Sequence, residues 1–203
     1  VVGDGMGGTH GGRVASAIAV ACFQKELQTD LRADMTADQL RHVMLAAIAA
    51  ANDAIRREAG RNADYRHMGT TLVCALARPD MALIANIGDS RAYHITPEGI
   101  RQISRDHSVV ESMVAKGDIT PQEARRHPNR NLITRALGPD IDAKADTFTL
   151  PWRSGEYILL CTDGLVNTVS DQEMLFEVLY DGDVNGCLEH LLQISLQRGA
   201  PDN

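Results

Sequence analysis

The sequence predicts an α+β fold of stacked layers rather than an alternating βαβ sheet. Two observations point to it. Helical periodicity is confined to the two ends of the chain. Between the ends run short apolar strands separated by turn signals. A chain of 203 residues, 44% of them hydrophobic, is long enough to bury a sizeable core. No internal repeat, low-complexity segment or Pro/Ser-rich linker divides it.

The elements can be justified in order. The chain opens with VVGDGMGGTHGG, a strand running into a glycine-rich loop. A first helix is predicted over residues 12–28. A second begins at Thr36, which pairs with Gln39 as a capping box. Leu40, Val43, Met44, Ala47, Ile48, Ala51 and Ile55 then recur at helical spacing and mark its core face. Strands are expected over 70–77, 81–87 and 91–95, with turns at Arg78-Pro79-Asp80 and Pro97-Glu98-Gly99.

Residues 106–139 look different. Charge is high, Thr120-Pro121-Gln122-Glu123 starts a short helix, and His127-Pro128-Asn129 breaks the chain. This segment reads as an insertion on the strand framework, placed like a lid. Strands resume over 148–150 and 157–162. Ser170 with Glu173 caps another helix, and the last helix carries Leu188, Leu191, Leu192 and Leu196 on one face.

A net charge of -7 argues against general binding to nucleic acid or anionic membranes. Cys22, Cys74, Cys161 and Cys187 form no CxxC pair and sit among apolar residues. They read as reduced, packed thiols, which points to a reducing compartment, the cytoplasm. No stretch reaches transmembrane length and no signal-peptide pattern is present. The chain starts without methionine and stops just after GAPDN, so both ends read as cut.

The chemistry is carried by aspartates. VVGDG, ANIGDSRA and LLCTDG each run an apolar strand into an aspartate beside glycine or a small residue, and GAPDN sets Asp202 in a turn. Any one of these alone reads as a turn. If the strands are neighbours, Asp4, Asp89 and Asp163 converge at one edge, and converging carboxylates need bound cations or raised pKa values. Oxygen donors select magnesium, manganese or calcium, and a pair of such ions ~4 Å apart serves in-line displacement at phosphorus. Arg91 is expected to pair with a carboxylate along its strand. His67 reads as a surface or capping residue, and His42, His94 and His190 as surface groups. His107 and His127 lie in the insertion within reach of a substrate.

In this order, VVGDGMGGTHGGRVAS, MGTTL, ANIGDSRAY, HPNRNLITRALG, LLCTDGL and GAPDN resemble the metal-dependent protein phosphatase family of type 2C in its bacterial form. The resemblance extends over nearly all 203 residues. It implies a four-layer α-β-β-α sandwich of two antiparallel sheets flanked by helices, with residues 1–203 as a single catalytic domain and 107–138 as a flap that governs substrate choice. It implies two manganese or magnesium ions, with a third in bacterial members. Asp4 matches the carboxylate bridging both metals and Gly5 the backbone carbonyl ligand. Asp163 and Asp202 match the remaining ligands of the first metal. Asp89 matches the ligand of the third metal, with Asp163 contributing. A metal-bridging water would attack the phosphorus of phosphoserine or phosphothreonine in proteins.

The resemblance also implies phosphorylated protein partners, among them a Ser/Thr kinase and its substrates, and a monomer. The sequence departs from the family pattern in three places. The family's earlier strand, acidic motif and phosphate-binding arginine do not precede VVGDG. No last strand follows the final turn. Met6 stands where eukaryotic members have a general-acid histidine, and Thr9 replaces a bacterial histidine, with His10 following. A non-catalytic sensor on the same fold and a hydrolase of small phosphate esters are the competing readings.

Overall fold

The computed structural model describes residues 1–180, 183–200 and 202. The Thr9 side chain, and Pro201 and Asn203 of the GAPDN turn, lie outside the described residues. Strand β1 (Gly5–Met6) leads into helix α1 (Gly8–Asp30), followed by α2 (Ala37–Arg61). Next come β2 (Gly69–Thr70), β3 (Leu72–Ala77), β4 (Met81–Ile87), β5 (Arg91–Thr96) and β6 (Gly99–Gln102). The insertion holds α3 (Val109–Lys116) and α4 (Pro121–Ala124). Strands β7 (Asp146–Pro151) and β8 (Tyr157–Cys161) precede α5 (Asp163–Val166), α6 (Asp171–Tyr180) and α7 (Val184–Gln197).

Two three-stranded antiparallel sheets form, β3-β4-β7 and β6-β5-β8, together with the small pair β1-β2. Strand alternation builds the layers. Leu72, Cys74, Leu83, Ala85 and Ile87 face α1 and α2, where Phe23, Met44, Ile48 and Ile55 complete one core. The opposite faces, with Val73, Ala82 and Ile84, meet Ala92 and the half-buried Ile158 and Leu160 of the second sheet. Tyr93, Ile95, Leu159 and Cys161 turn outward against Met174, Val178, Cys187 and Leu191 of α6 and α7. The result is the expected α-β-β-α order. Because both faces of each sheet are covered, the strands read as nearly continuous apolar runs.

Some boundaries moved for physical reasons. Helix α1 starts at Gly8, not residue 12, because Gly7 takes a left-handed N-cap conformation (φ 104°) that turns the chain straight into the helix. The strand expected over 70–77 breaks at Thr71, whose amide leaves the sheet to bond the Asp4 carbonyl at 2.8 Å. On α7 the buried line is Cys187, Leu191 and Ser195, while Leu188, Leu192 and Leu196 remain about half exposed (53%, 55% and 51%). The capping boxes at Thr36 and Ser170 form as expected, and the short helix expected at Thr120 starts with a capping box of its own.

Candidate metal centre

Asp4 stands just before β1, and its backbone is held on both sides by the MGTT segment. Its amide donates to Thr71 Oγ1 (2.9 Å), and its carbonyl accepts from the Thr71 amide (2.8 Å) and Thr70 Oγ1 (2.8 Å). Thr71 Oγ1 also shares a 2.6 Å hydrogen bond with Ser90 Oγ. The Asp4 loop and the Asp89 turn are therefore tied through one buried hydroxyl pair. The opening glycines have a packing role too. A Cβ on Gly5 would lie 2.0 Å from the Gly12 carbonyl oxygen, so α1 crosses β1 at backbone contact.

The Asp89 turn is pinned next. Gly88 has φ 105°, and a Cβ there would stand 2.5 Å from Thr71 Cγ2. The Gly88 amide donates to His107 Nδ1 (3.1 Å), and the His107 amide donates to the Gly88 carbonyl (2.9 Å). With Nδ1 accepting, neutral His107 carries its proton on Nε2, which meets Asp146 Oδ2 at 3.0 Å. Arg135 reaches the other oxygen of Asp146 at 3.0 Å. Asn86 is fully buried and donates to the carbonyls of Gly88 (3.2 Å) and Arg105 (3.1 Å).

Asp163 is the first residue of α5, and Asp202 follows α7. Asp163 lies within electrostatic reach of Asp4, Asp89 and Asp202. Burial, then the negative charges of Asp163 and Asp202, pushes Asp4 up to about 7. Burial, then Asp163 and Asp106, pushes Asp89 up to about 7. Asp163 is raised by burial and by Asp202, against bonds from Asp4, Gly164 and Asn167.

This crowding fits a hard cation. Asp163 Oδ1 is buried without a hydrogen-bond partner, and the surrounding donors are oxygens. Positive charge between these groups would reverse the strain that burial and repulsion impose on them. As they stand, no three His, Cys, Asp or Glu among the described residues are arranged to hold an ion.

A cavity of about 270 Å³ adjoins the carboxylates. Asp89 and Asp163 lie on one side of it, and Val110, Val114, Arg125 and Arg130 of the insertion on the other. The insertion is closed at its base, where the Thr134 amide bonds the His107 carbonyl (2.7 Å) and the Val109 amide that of Leu132 (2.9 Å). Arg91 pairs with Asp106 through two nitrogens, at 3.0 and 2.7 Å, as its strand position predicts, and also reaches the Tyr93 hydroxyl. It is therefore engaged on the cavity wall.

Several histidines differ from expectation. His107 is buried and braces the Asp89 turn rather than facing a substrate. His94 is not a surface group, since its side chain is 12% exposed and lies 2.8 Å from Glu156. His127 Nδ1 accepts from the Asn129 amide and closes the turn at His127-Pro128-Asn129. His67 is exposed, as expected.

Sequence reasoning missed the Thr71–Ser90 clamp, although MGTT and GDS were both in view. It also missed Asn52, a buried polar residue on the apolar face of α2. Asn52 accepts from the Gly138 amide (2.7 Å) and donates to the Asp140 carbonyl (3.0 Å), fixing the exit of the insertion. Its signal was an asparagine placed within the helical core pattern.

The family model described as Protein phosphatase 2C matches residues 1–189. Serine/threonine phosphatase stp of Listeria monocytogenes is 37% identical over 174 residues, covering 86% of this chain and 69% of its own. Protein phosphatase PhpP of Streptococcus pneumoniae is 34% identical over 203 residues, covering 100% of this chain and 81% of its own. The crystal structure of the Mycobacterium tuberculosis serine/threonine phosphatase PstP matches with a TM-score of 0.88 at 35% identity, covering 99% of this chain and 83% of that one. The PstP catalytic domain in complex with two manganese ions matches with a TM-score of 0.85 at 33% identity, covering 99% and 82%.

Proposed function

The chain belongs to the protein phosphatase 2C family, and from that premise we propose that it hydrolyses phosphoserine and phosphothreonine esters in proteins. The observation that carries this reading is that Asp4, Asp89 and Asp202 lie within electrostatic reach of Asp163, one of whose oxygens is buried and unpartnered. The residues fit manganese or magnesium. Asp4, the Gly5 carbonyl, Asp163 and Asp202 would hold the main ions, with Asp89 and Asp163 at a third. When bound, such ions act as Lewis acids that withdraw charge from phosphoryl oxygens and make water a better nucleophile.

The chain's own residues do the rest. Thr70, Thr71 and Ser90 hold Asp4 and Asp89 at a set separation, so the charged site is preorganised. Two nearby hydroxyl and thiol groups are poor phosphoryl acceptors: Ser90 is buried and bonded to Thr71, and burial pushes the Cys161 thiol up to about 12. In the proposed reaction, as the family resemblance implies, water is the nucleophile, attacking phosphorus in line with the seryl or threonyl oxygen, which gains a proton and departs as the alcohol. Arg91 is committed to Asp106, which leaves Arg125 and Arg130 as the cavity cations facing a bound polypeptide.

Residues 1–203 act as one catalytic domain with 107–138 as its flap. The free, packed cysteines support a reducing, cytoplasmic setting. No helix among the described residues is long and apolar enough to cross a membrane. The partners are phosphoproteins, a Ser/Thr kinase and its substrates among them, and the chain acts as a monomer.

The test is manganese-dependent release of phosphate from a phosphothreonine peptide, with Asp163→Asn alongside. Removing this carboxylate is expected to cost ~10²-fold or more in kcat/KM. A parent that binds manganese yet releases no phosphate overturns the reading.

A further inference from the structure

The molecule is acidic overall, yet one cleft on its surface carries only positive charge. A depression of about 530 Å³ lies where α2 ends and the flap exits, lined by Arg56, Arg61, Arg66, Gly138 and Pro139 among others. Every charged group on its lining is an arginine. Arg56 is fixed in place through Nη1, which donates to the carbonyls of Gly138 (3.3 Å) and Pro139 (3.5 Å). Arg61 has one loose ion contact, 3.6 Å from Glu58. The Arg66 side chain has no ion pair among the described residues and is exposed. Guanidinium groups are forks matched to carboxylates and phosphates, and three converging without a carboxylate on the lining repel one another unless an anion joins them.

The cleft's position relates it to the metal centre. Gly5 and Met6 pair with Thr70 and Gly69, and Thr70 pairs in turn with Leu137, one residue before Gly138. Paired backbones lie about 4.8 Å apart, so two spacings put the Leu137 backbone, next to the Gly138 that lines the cleft, about 10 Å from the Asp4–Met6 segment. An extended peptide advances about 3.3 Å per residue and covers that distance in about three residues.

We infer that the Arg56–Arg61–Arg66 cleft binds an anionic side chain of the substrate protein, a carboxylate or a second phosphate ester, about three residues from the phosphoresidue being hydrolysed. This rests on the phosphatase reading above. It assigns a substrate class: segments that are acidic or multiply phosphorylated around the target. Salt weakens such contacts, because the arginines are largely solvent-exposed.

The test uses three phosphothreonine peptides that differ only three positions from the target, on either side, where they carry alanine, glutamate or a non-hydrolysable phosphonate. The intact chain should show a KM about fivefold lower for glutamate than for alanine, and lower still for the phosphonate, with kcat alike. The preference should disappear in Arg61→Glu/Arg66→Glu, shrink in Arg66→Gln, and fade at high salt. Arg153→Glu, which makes the same kind of charge change at the far end of β7 from Asp146, should retain it. Equal preference for the glutamate and phosphonate peptides assigns the cleft to carboxylates. A larger gain for the phosphonate assigns it to a second phosphate. Equal KM for all three peptides, or a preference that survives the double variant, overturns the inference while leaving the phosphatase reading standing. If no peptide is hydrolysed, that reading fails instead. Fluorescence anisotropy with a peptide carrying phosphonates at both positions then decides the cleft: binding must weaken in the double variant, and equal binding refutes it.

Discussion

Gly88 and His107 hold the Asp89 turn from opposite sides. Gly88 supplies a backbone conformation that side chains disfavour, and His107 takes its amide hydrogen while donating its own to the same residue's carbonyl. Gly88→Ala combines a positive φ with a methyl group pressed into Thr71, and is expected to cost roughly 1–3 kcal/mol in urea unfolding. At position 107 two variants separate the two ring nitrogens. His107→Asn keeps an acceptor where Nδ1 stood, so the Gly88 amide should remain slow in hydrogen exchange. His107→Gln keeps a donor toward Asp146 but withdraws the acceptor, so that amide should exchange faster. Similar exchange in both variants would show that the histidine only fills space.

At the scale of elements, α2 illustrates how a helix is both started and used. Thr36 and Gln39 satisfy each other's backbone at its N-terminus, and Thr36→Ala should cost about 1 kcal/mol. Asn52, two turns before its end, bonds the flap exit. Asn52→Ala leaves the buried Gly138 amide unpaired and should cost about 2 kcal/mol or more. Denaturant titration of the two variants checks the order, which reverses if the flap exit rearranges to find another partner. The capping box could be read from the sequence because both partners lie within three positions. The Asn52 bond could not, because its partner lies 86 positions away. The same limit explains Thr71, read as a strand residue although it serves the Asp4 loop. Helix α7 shows the limit of periodicity. Leu188, Leu192 and Leu196 share a helical stripe, but the sheet below takes Cys187 and Leu191.

Across the whole molecule, the stacked layers bury Cys74 and Cys161 on opposite sheets, and burial pushes each thiol up to about 12. Unfolded thiols ionise near 9, so above that pH the unfolded state has lost protons that the folded state keeps. Stability from this source is complete below pH 9 and falls between pH 9 and 12, by up to about 1.4 kcal/mol per thiol per pH unit. Between pH 8 and pH 10 the parent should lose stability relative to Cys74→Val by about 1 kcal/mol, measured as the change in the difference of their unfolding free energies. An unchanged difference would mean that the buried thiol ionises as readily as a free one. The sequence by itself determined the α+β class, the order of most strands and helices, the caps, and the aspartates at element ends. These follow from neighbours in the chain and from the periodicity of burial. Only the tertiary structure decided that Asp4, Asp89 and Asp202 come within electrostatic reach of Asp163, that Thr71 and Ser90 tie two of their loops, and that His107 turns inward. Those facts depend on contacts between distant segments, such as the bond from Asp4 to Thr71 across 67 positions, and such contacts exist only once both sheets are packed.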